Sequence, residues 1–419
     1  MWLIDWLKGV LLLTVISLLW IRPEPVTAGG LKDFVKDLYG GDGITLAPPT
    51  MGFNHQPHFT ASSLRGLDAL NTVLESSLNQ FAFSSTVAAF TFDIERGVPV
   101  RTTESLGPLL AERAPTLGAG KLNVQFSYTR FDFKRFDGDD LDDISLTFIH
   151  DDGCPGGGDG KLGPPPAFCD FELDTIEVDL DLEIEQDVFS VFATYGVTRT
   201  WDVGIVVPIV HVRAHATGSA RIIDNSPPPP GPHLFDPAAG GDAPVSTSGG
   251  DATGIGDVLL RTKYNFLRNR DGWPDLAIAG QVKLPTGDED DLLGTGETNF
   301  LALLVASKSF GPWSDVRWLT PHVNLGFEVT TGGSEENNLR YATGFDARVH
   351  PRLTMAIDFL GRWEPDGDPI GNNVADFAVG MKWNPFDTFL LGGNVLLPLN
   401  KDEGLRTDVT WTLFAEYTF

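Results

Sequence analysis

The chain has 419 residues, and its 57 acidic residues outnumber its 30 basic residues to give a formal net charge of −27 at pH 7. This balance argues against nucleic acid as a partner, because contacts to phosphate require lysine and arginine. Hydrophobic residues make up 42% of the chain, which suffices for a packed core, and 46 glycines with 29 prolines indicate many turns.

Residues 1–28 predict a secretory signal peptide. An apolar run over residues 10–21 follows Lys8, and Val26-Thr27-Ala28 supplies a cleavage pattern of small residues. The run is shorter than the roughly 20 residues that a membrane-spanning helix requires, and an uncleaved anchor is the alternative. Because no later stretch has about 18 consecutive apolar residues, a membrane location would require strands rather than helices.

Residues 29–120 predict a small mixed and helical N-terminal segment. Apolar residues recur at helical spacing over residues 31–41 and again over residues 62–80. Ser62 or Ser63 could cap the second helix, because serine hydroxyls accept hydrogen bonds from free backbone amides at helix starts.

From Leu122 to the C-terminus, apolar and polar residues alternate as they do in β-strands. Val323, Leu325 and Phe327, for example, alternate with Asn324 and Glu328. A soluble β-sandwich also alternates in this way. Three further features favour a transmembrane barrel: long strands, aromatic residues near strand ends, and short turns that alternate with long acidic loops.

The predicted fold class is therefore all-β, an antiparallel up-and-down transmembrane β-barrel over residues 121–419. We expect about 12 strands, because such barrels have an even number of strands. An additional hairpin from residues 81–95 and 98–106 would raise the number to about 14. The segment over residues 29–120 would then be a plug in the barrel lumen or, alternatively, a periplasmic cap.

The two cysteines of the chain, Cys154 and Cys169, predict a disulfide in an oxidising compartment. A bridge closing a loop of this size stabilises a fold by about 3 kcal/mol in the chain-entropy model. A metal pair or two free thiols are the competing interpretations, and no further thiols or histidine cluster support the metal pair.

Sequence motifs of common enzymes are missing, including G-x-S-x-G, H-E-x-x-H and the phosphate-binding glycine loops. We therefore predict that the protein is not an enzyme and needs no cofactor. His322 and Asp358 are the only lumen-side candidates for a hydrolase site. The acidic clusters at residues 137–143 and 288–291 lack calcium-loop spacing, so no metal site is assigned. A further hypothesis is that divalent cations bridge these loops to lipopolysaccharide.

The polar faces of the predicted strands carry many charges. A charged side chain that faces lipid near the bilayer midplane costs about 2 to 4 kcal/mol, so these residues are expected to face the lumen. Either they form a salt-bridge network that fills a narrow interior, or they line a polar conduit with weak ionic selectivity. The lumen-lining candidates are Arg261, Lys263, Lys283, Glu328, Arg340, Asp346, Arg348, Asp358, Arg362, Asp376, Lys382, Asp408 and Glu416.

Four stretches carry a family resemblance: residues 194–210, 254–266, 276–300 and 306–313. They resemble the outer-membrane proteins of the meta-pathway of phenol degradation family, and the sequence KLPTGD followed by LGTG at residues 283–296 is the most distinctive part. The resemblance implies an outer-membrane β-barrel of a Gram-negative bacterium that helps hydrophobic or aromatic compounds cross the membrane. It implies no residue-level mechanism.

We therefore predict a passive outer-membrane channel or transporter for hydrophobic or aromatic small molecules. The alternative is a structural or surface-interaction barrel whose lumen is closed. The expected partners are outer-membrane lipid, lipopolysaccharide, a small-molecule solute and the assembly machinery. Phe419, a terminal aromatic residue on the last strand, resembles the signal by which that machinery recognises its clients.

Overall fold

The computed structural model describes residues 30–47, 59–78, 90–93, 98–101, 103, 105–149, 174–225, 233–235, 245–268, 272–314, 317–331, 337–365, 373–386 and 388–419. The predicted signal peptide and the two cysteines, Cys154 and Cys169, lie outside these residues. No helix in the described ranges is both long enough and apolar enough to cross a membrane.

The N-terminal part contains two 3₁₀ turns, Leu31–Asp33 and Lys36–Tyr39, and one helix, α1, at Thr60–Leu78. The short amphipathic helix expected within residues 31–41 is present as these two 3₁₀ turns rather than as an α-helix. Apolar residues three apart also line up in 3₁₀ geometry, and Gly40 ends the second turn with a φ of 75°.

The predicted serine caps of the second helix are also wrong. Helix α1 begins at Thr60, so Ser62 and Ser63 lie inside its first turn. Their hydroxyls donate to the carbonyls of Phe59 and Thr60 at 3.1 and 3.0 Å.

Most of the remaining described residues form strands. Their bounds are β1 Phe90–Asp93, β2 Val98–Arg101, β3 Leu122–Phe136, β4 Asp139–Asp140, β5 Ile144–Ile149, β6 Thr175–Gly196, β7 Trp201–Ile223, β8 Val245–Ile255, β9 Val258–Leu267, β10 Asp275–Leu284, β11 Thr298–Ser307, β12 Phe310–Ser314, β13 Arg317–Thr331, β14 Asn338–His350, β15 Leu353–Trp363, β16 Asn373–Phe386, β17 Phe389–Pro398, β18 Leu405–Thr407 and β19 Thr410–Thr418. Strands β1 and β2 form a separate two-stranded sheet, and the others form a closed antiparallel barrel.

The barrel wall has 12 strands, which confirms the predicted fold class. Three wall strands are interrupted, so that β8 with β9, β11 with β12, and β18 with β19 each count once. The short strands β4 and β5 are not counted, because they pair with the last part of β3 and the first part of β6, strands that also pair directly with each other. The hairpin of β1 and β2 is not part of the wall, and the alternative of 14 strands is wrong. The wall closes where β19 pairs with β3.

The two faces of the wall are chemically opposite. On β19, Trp411 and Leu413 are exposed, whereas Thr412 and Glu416 are buried. Apolar side chains therefore point outward to lipid and polar side chains point inward, which is the reverse of a water-soluble sandwich. The connections also differ at the two ends of the wall. We call the end with short connections, such as residues 197–200, the turn end, and the end with long connections, such as residues 285–297, the loop end.

Strands β6 and β7 have 22 and 23 residues, roughly twice the length that crosses a membrane. Their loop-end halves extend beyond the rest of the wall, and the inner face of this extension packs against the N-terminal part. The 3₁₀ turns and α1 share one apolar core with these strands. Members of this core include Leu31, Phe34, Leu38, Leu67, Val178, Leu180, Val212 and Ala216.

We predict that L38A loosens the N-terminal part while the barrel stays folded. Leu38 is 2% exposed, and truncating a buried leucine costs about 2 to 5 kcal/mol. Limited proteolysis should cleave residues 31–78 faster, while the unheated protein keeps its folded mobility in gel electrophoresis. L325A is the control, because Leu325 faces lipid and is 52% exposed. Equal cleavage of both variants would contradict the packing described above.

Candidate functional site in the barrel lumen

Residues 105–117, which we call the re-entrant segment, occupy the turn-end half of the lumen. The Leu106 amide donates to Thr354 Oγ1 at 3.0 Å, and the Leu117 amide donates to Asp202 Oδ2 at 2.8 Å. Both acceptors lie near the turn end, whereas residues 109–112 reach deeper. Thr354 is on β15 and Asp202 is on β7, on opposite sides of the wall. The segment therefore crosses the lumen from wall to wall.

The contact of the segment with β15 centres on the carboxylate of Asp358. The amides of Leu109, Leu110 and Ala111 donate to Asp358 Oδ2 at 3.1, 2.8 and 3.2 Å. His322 Nε2 lies 2.8 Å from the other oxygen, Oδ1. Asp358 has no exposed surface, and a buried carboxylate is costly unless hydrogen bonds compensate for lost water. Three backbone donors and one imidazole provide that compensation.

A second buried carboxylate, Asp346, binds the first part of the segment. Ser105 Oγ donates a hydrogen bond to Asp346, and Arg113 Nη1 donates to Ser105 Oγ at 2.9 Å. Arg113 Nη1 also lies 3.7 Å from Asp346 Oδ1, and His322 Nδ1 lies 3.8 Å from Asp346 Oδ2. His322 therefore sits between two carboxylates, and the charged side chains of this network are shielded from water.

Glu112 links the segment to the opposite side of the wall. Its carboxylate receives hydrogen bonds from Arg261 and from Lys263, with Lys263 Nζ at 3.1 Å from Oε2. A buried carboxylate is costly unless opposite charges and hydrogen bonds compensate for lost water, and Lys263 and Arg261 supply both. Glu112 is thus shared between two cations.

Neutral hydrogen bonds complete the attachment. The Glu112 amide donates to Asn324 Oδ1 at 2.7 Å, and Asn324 Nδ2 donates back to the Glu112 carbonyl at 2.9 Å. Asn265 Nδ2 donates to the Ala114 carbonyl at 2.8 Å, and the Ala114 amide donates to Ser307 Oγ at 3.2 Å. Because a crossing backbone has no sheet partner of its own, wall side chains satisfy its polar groups.

A cavity of about 280 Å³ lies on the loop-end side of the re-entrant segment, and we call it the chamber. Leu110, Ala111 and Glu112 line its turn-end side. Phe133 and Leu405 line its other side, and both belong to the core that contains the N-terminal part. The volume is close to the lower limit of ordinary small-molecule pockets, about 300 Å³.

The wall is irregular beside the chamber, where Gly256 and Asp257 separate β8 from β9. Strand β10 pairs with β9 but ends at Leu284, opposite Val258. Beyond that point the loop at residues 285–297 folds back onto the break. Asp257 Oδ1 accepts from the Gly287 amide and Oδ2 accepts from the Thr295 amide, both at 3.0 Å. The buried carboxylate thus ties down the most distinctive stretch of the sequence resemblance.

The predicted lumen residues separate into groups in the structure. Six of them line the chamber: Arg261, Lys283, Glu328, Arg340, Arg362 and Asp376. Three others lie beside the re-entrant segment: Lys263, Asp346 and Asp358.

The remaining four do not join these groups. Lys382 Nζ lies 5.3 Å from the centre of the Phe414 ring, and Glu416 accepts from Asn123 Nδ2 at 2.8 Å. The Arg348 guanidinium stacks 5.8 Å from the Trp318 ring. Asp408 is exposed at the loop end, where it pairs with Arg135 and Lys401. Asp408 therefore lies apart from the other predicted lumen residues.

The most informative site residues were missed by sequence reasoning, because they belong to the re-entrant segment. Ser105, Glu112 and Arg113 fall in a stretch without helical or strand periodicity. The available signal was the adjacent charge pair of Glu112 and Arg113 between Pro108 and Pro115. Among the residues that the structure describes, no group of three or more histidines, cysteines or carboxylates could hold a metal ion.

Comparison with solved structures finds other barrels. An outer membrane channel from Pseudomonas putida F1 is 12% identical, with a TM-score of 0.41, and the match covers 73% of this chain and 98% of that one. The Ralstonia pickettii toluene transporter TbuX is 10% identical, with a TM-score of 0.33 and coverages of 72% and 90%. A Pseudomonas aeruginosa FadL homologue is 10% identical, with a TM-score of 0.31 and coverages of 71% and 90%.

Comparison with curated protein sequences gave no match. A family model described as "Putative MetA-pathway of phenol degradation" matches residues 170–381, about half of the chain. The matched range runs from the start of β6 to β16 and includes the loop that Asp257 holds. Together with the closed barrel and its apolar outer face, this match shows that the protein is an outer-membrane β-barrel and that the chain belongs to the MetA-pathway of phenol degradation family.

Proposed function

We propose that the protein is a passive outer-membrane channel for hydrophobic or aromatic small molecules, and that the re-entrant segment is its plug. The observation that carries the proposal is the attachment of this segment. It blocks the lumen beside a chamber of ligand size, yet polar contacts attach it to the wall rather than a continuous apolar core. Polar contacts can be exchanged for water when the segment moves, so closure of this kind is reversible.

The family and the chamber support the choice of solute. The matching family takes its name from phenol degradation, and TbuX, one of the similar barrels, is described as a toluene transporter. The chamber presents Phe131, Phe133, Leu301 and Leu303 to whatever occupies it. Apolar lining of this type favours ring-containing or aliphatic solutes over sugars.

The alternative is a structural or surface-interaction barrel that never opens. One observation favours it: the extended halves of β6 and β7 and the N-terminal part form a sizeable core at the loop end. The two functions differ in whether the re-entrant segment must move, and the next two predictions separate them.

We predict that replacing residues 106–116 with a Gly-Ser linker of equal length raises single-channel conductance in planar bilayers. The equal length preserves the span between β15 and β7, while the contacts through Glu112 and Arg113 are lost. D358A should act in the same direction, because it removes the acceptor of three backbone amides. D408N is the control, since Asp408 is exposed at the loop end. Unchanged conductance in both altered proteins would reject the plug.

We predict that a covalent lock stops transport. The Ala114 amide lies 3.2 Å from Ser307 Oγ, so the double substitution A114C and S307C places two thiols close together. The substitutions are made with C154S and C169S to avoid mispairing. Uptake of a radiolabelled monoaromatic compound by cells should fall on oxidation and recover with reductant, whereas S307C alone should not respond. Uptake that is unaffected by the lock would show that the segment need not move.

A further inference from the structure

The lining of the chamber has the opposite charge balance to the chain. Five cationic side chains line it, Arg261, Lys283, Arg340, Arg362 and Arg406, against three carboxylates, Glu112, Glu328 and Asp376. The chain as a whole carries a formal net charge of −27. Two of these cations also have a carboxylate just outside the lining, because Asp257 lies 3.7 Å from Lys283 and Glu364 lies 3.6 Å from Arg362. The residual positive charge of the chamber is therefore centred on Arg261.

The cations of the lining are not fully matched by these carboxylates. Glu112 is shared between Arg261 and Lys263, so one negative charge serves two positive ones. Arg261 Nη1 is buried and has no hydrogen-bond partner within the described part of the chain. Lys283 Nζ donates to the hydroxyl of Thr295 at 2.7 Å, whereas the nearest Asp257 oxygen lies 3.7 Å away. Unmatched buried donors are costly, and an anion in the chamber would satisfy them.

The register of the wall places apolar groups between the cations. Arg261 lies opposite Gln281 on β10, which lies opposite Leu301 on β11. On the other side, Leu303 lies opposite Gly326 on β13, which lies opposite Arg340 on β14. At about 4.8 Å between strands, each arginine is about 10 Å along the wall from the leucine pair.

Gly326 leaves room for the side chain of Leu303. A Cβ atom at this position would lie 2.4 Å from Leu303 Cδ2, so any side chain here would displace that leucine. The leucines thus form an apolar floor with an arginine on each side. A flat molecule can lie on this floor while a charged group at its edge meets a guanidinium.

We propose that the chamber binds a small amphipathic anion, an aromatic ring that carries one carboxylate, with the ring on Leu301 and Leu303 and the carboxylate on Arg261. This inference rests on the proposed function and names its solute class. A neutral hydrocarbon would leave Arg261 Nη1 without an acceptor, and a sugar would leave the apolar floor unused. An aromatic carboxylate satisfies both, and charge-assisted hydrogen bonds are stronger than neutral ones.

The acidic loops at the loop end do not oppose the preference for an anion inside the chamber. At physiological ionic strength, charges in water are screened beyond about 8 Å, whereas charges in a closed interior are screened much less. The loop-end acidic clusters therefore act weakly on a solute already in the chamber. Arg261 acts on it directly.

Binding to the full chain in lipid nanodiscs tests the proposal, with empty nanodiscs as background. The probes are benzoate, its neutral analogue benzyl alcohol, and acetate, measured by calorimetry. We expect benzoate to bind about tenfold more tightly than either of the others, because a carboxylate on an arginine gains a charge-assisted hydrogen bond. The preference should weaken as salt concentration rises.

Substitutions then assign the two parts of the site. R261Q should weaken benzoate binding about tenfold and leave benzyl alcohol binding unchanged. L303A should weaken binding of both aromatic probes, because it removes part of the apolar floor. R213Q is the matched control, since Arg213 lies on the outer face of β7 and pairs with Glu185. Its binding should equal that of the unsubstituted protein.

Each contrary outcome has its own meaning. Equal binding of benzoate and benzyl alcohol to the unsubstituted protein would overturn the anion preference while leaving aromatic transport intact. Acetate binding as tight as benzoate binding would reduce the site to a simple anion site and overturn the proposal. Loss of benzyl alcohol binding in R261Q would mean that the substitution disturbs the chamber as a whole, and R261K, which keeps the positive charge, must then retain both benzyl alcohol binding and the preference for benzoate or the proposal fails.

Discussion

The structure depends on how a barrel with a polar inner face satisfies buried charges. The inner face must be polar because the outer face is committed to lipid, and charges cannot point outward. Water could solvate those charges in a wide pore, but here backbone amides do so instead. Three consecutive amides on Asp358 and the pair of Asn324 with the Glu112 backbone replace solvent by a crossing peptide. The passage of a peptide across the lumen follows from this exchange.

The same replacement of water by peptide groups explains why the re-entrant segment has a defined position and can still separate from the wall. Most of its contacts with the wall are hydrogen bonds or ion pairs that water can replace, so their net contribution is far smaller than their sum. Its apolar contacts are two small clusters, Leu106 with Leu390 and Ala114 with Ala277 and Val305. The N-terminal part at the loop end is attached in the opposite way, by apolar packing against the extension of β6 and β7. The molecule therefore has one polar closure and one apolar attachment, which respond differently to salt and to apolar solutes.

Much of the wall could be predicted from the sequence, because strand periodicity is local and the membrane enforces it. The alternation of Trp411 and Leu413 with Thr412 and Glu416 is visible without any structure. The break in the wall at Gly256 and the role of Asp257 could not be predicted, because the partners of that carboxylate lie thirty or more residues away in the sequence. The path of residues 105–117 could not be predicted either. Its backbone amides donate to side chains of the wall, and no periodicity in the sequence identifies those acceptors.

The positions of the N-terminal part and the re-entrant segment constrain how the barrel can be assembled. The first contacts the loop end and the second is attached from the turn end, while the wall closes only when β19 pairs with β3, the first and last strands of the wall in sequence. A wall that sealed early would leave the chain before β3 to be threaded through a finished ring. A cylinder completed last by the pairing of β19 with β3 avoids this threading, because the wall then forms around residues that already lie in its lumen.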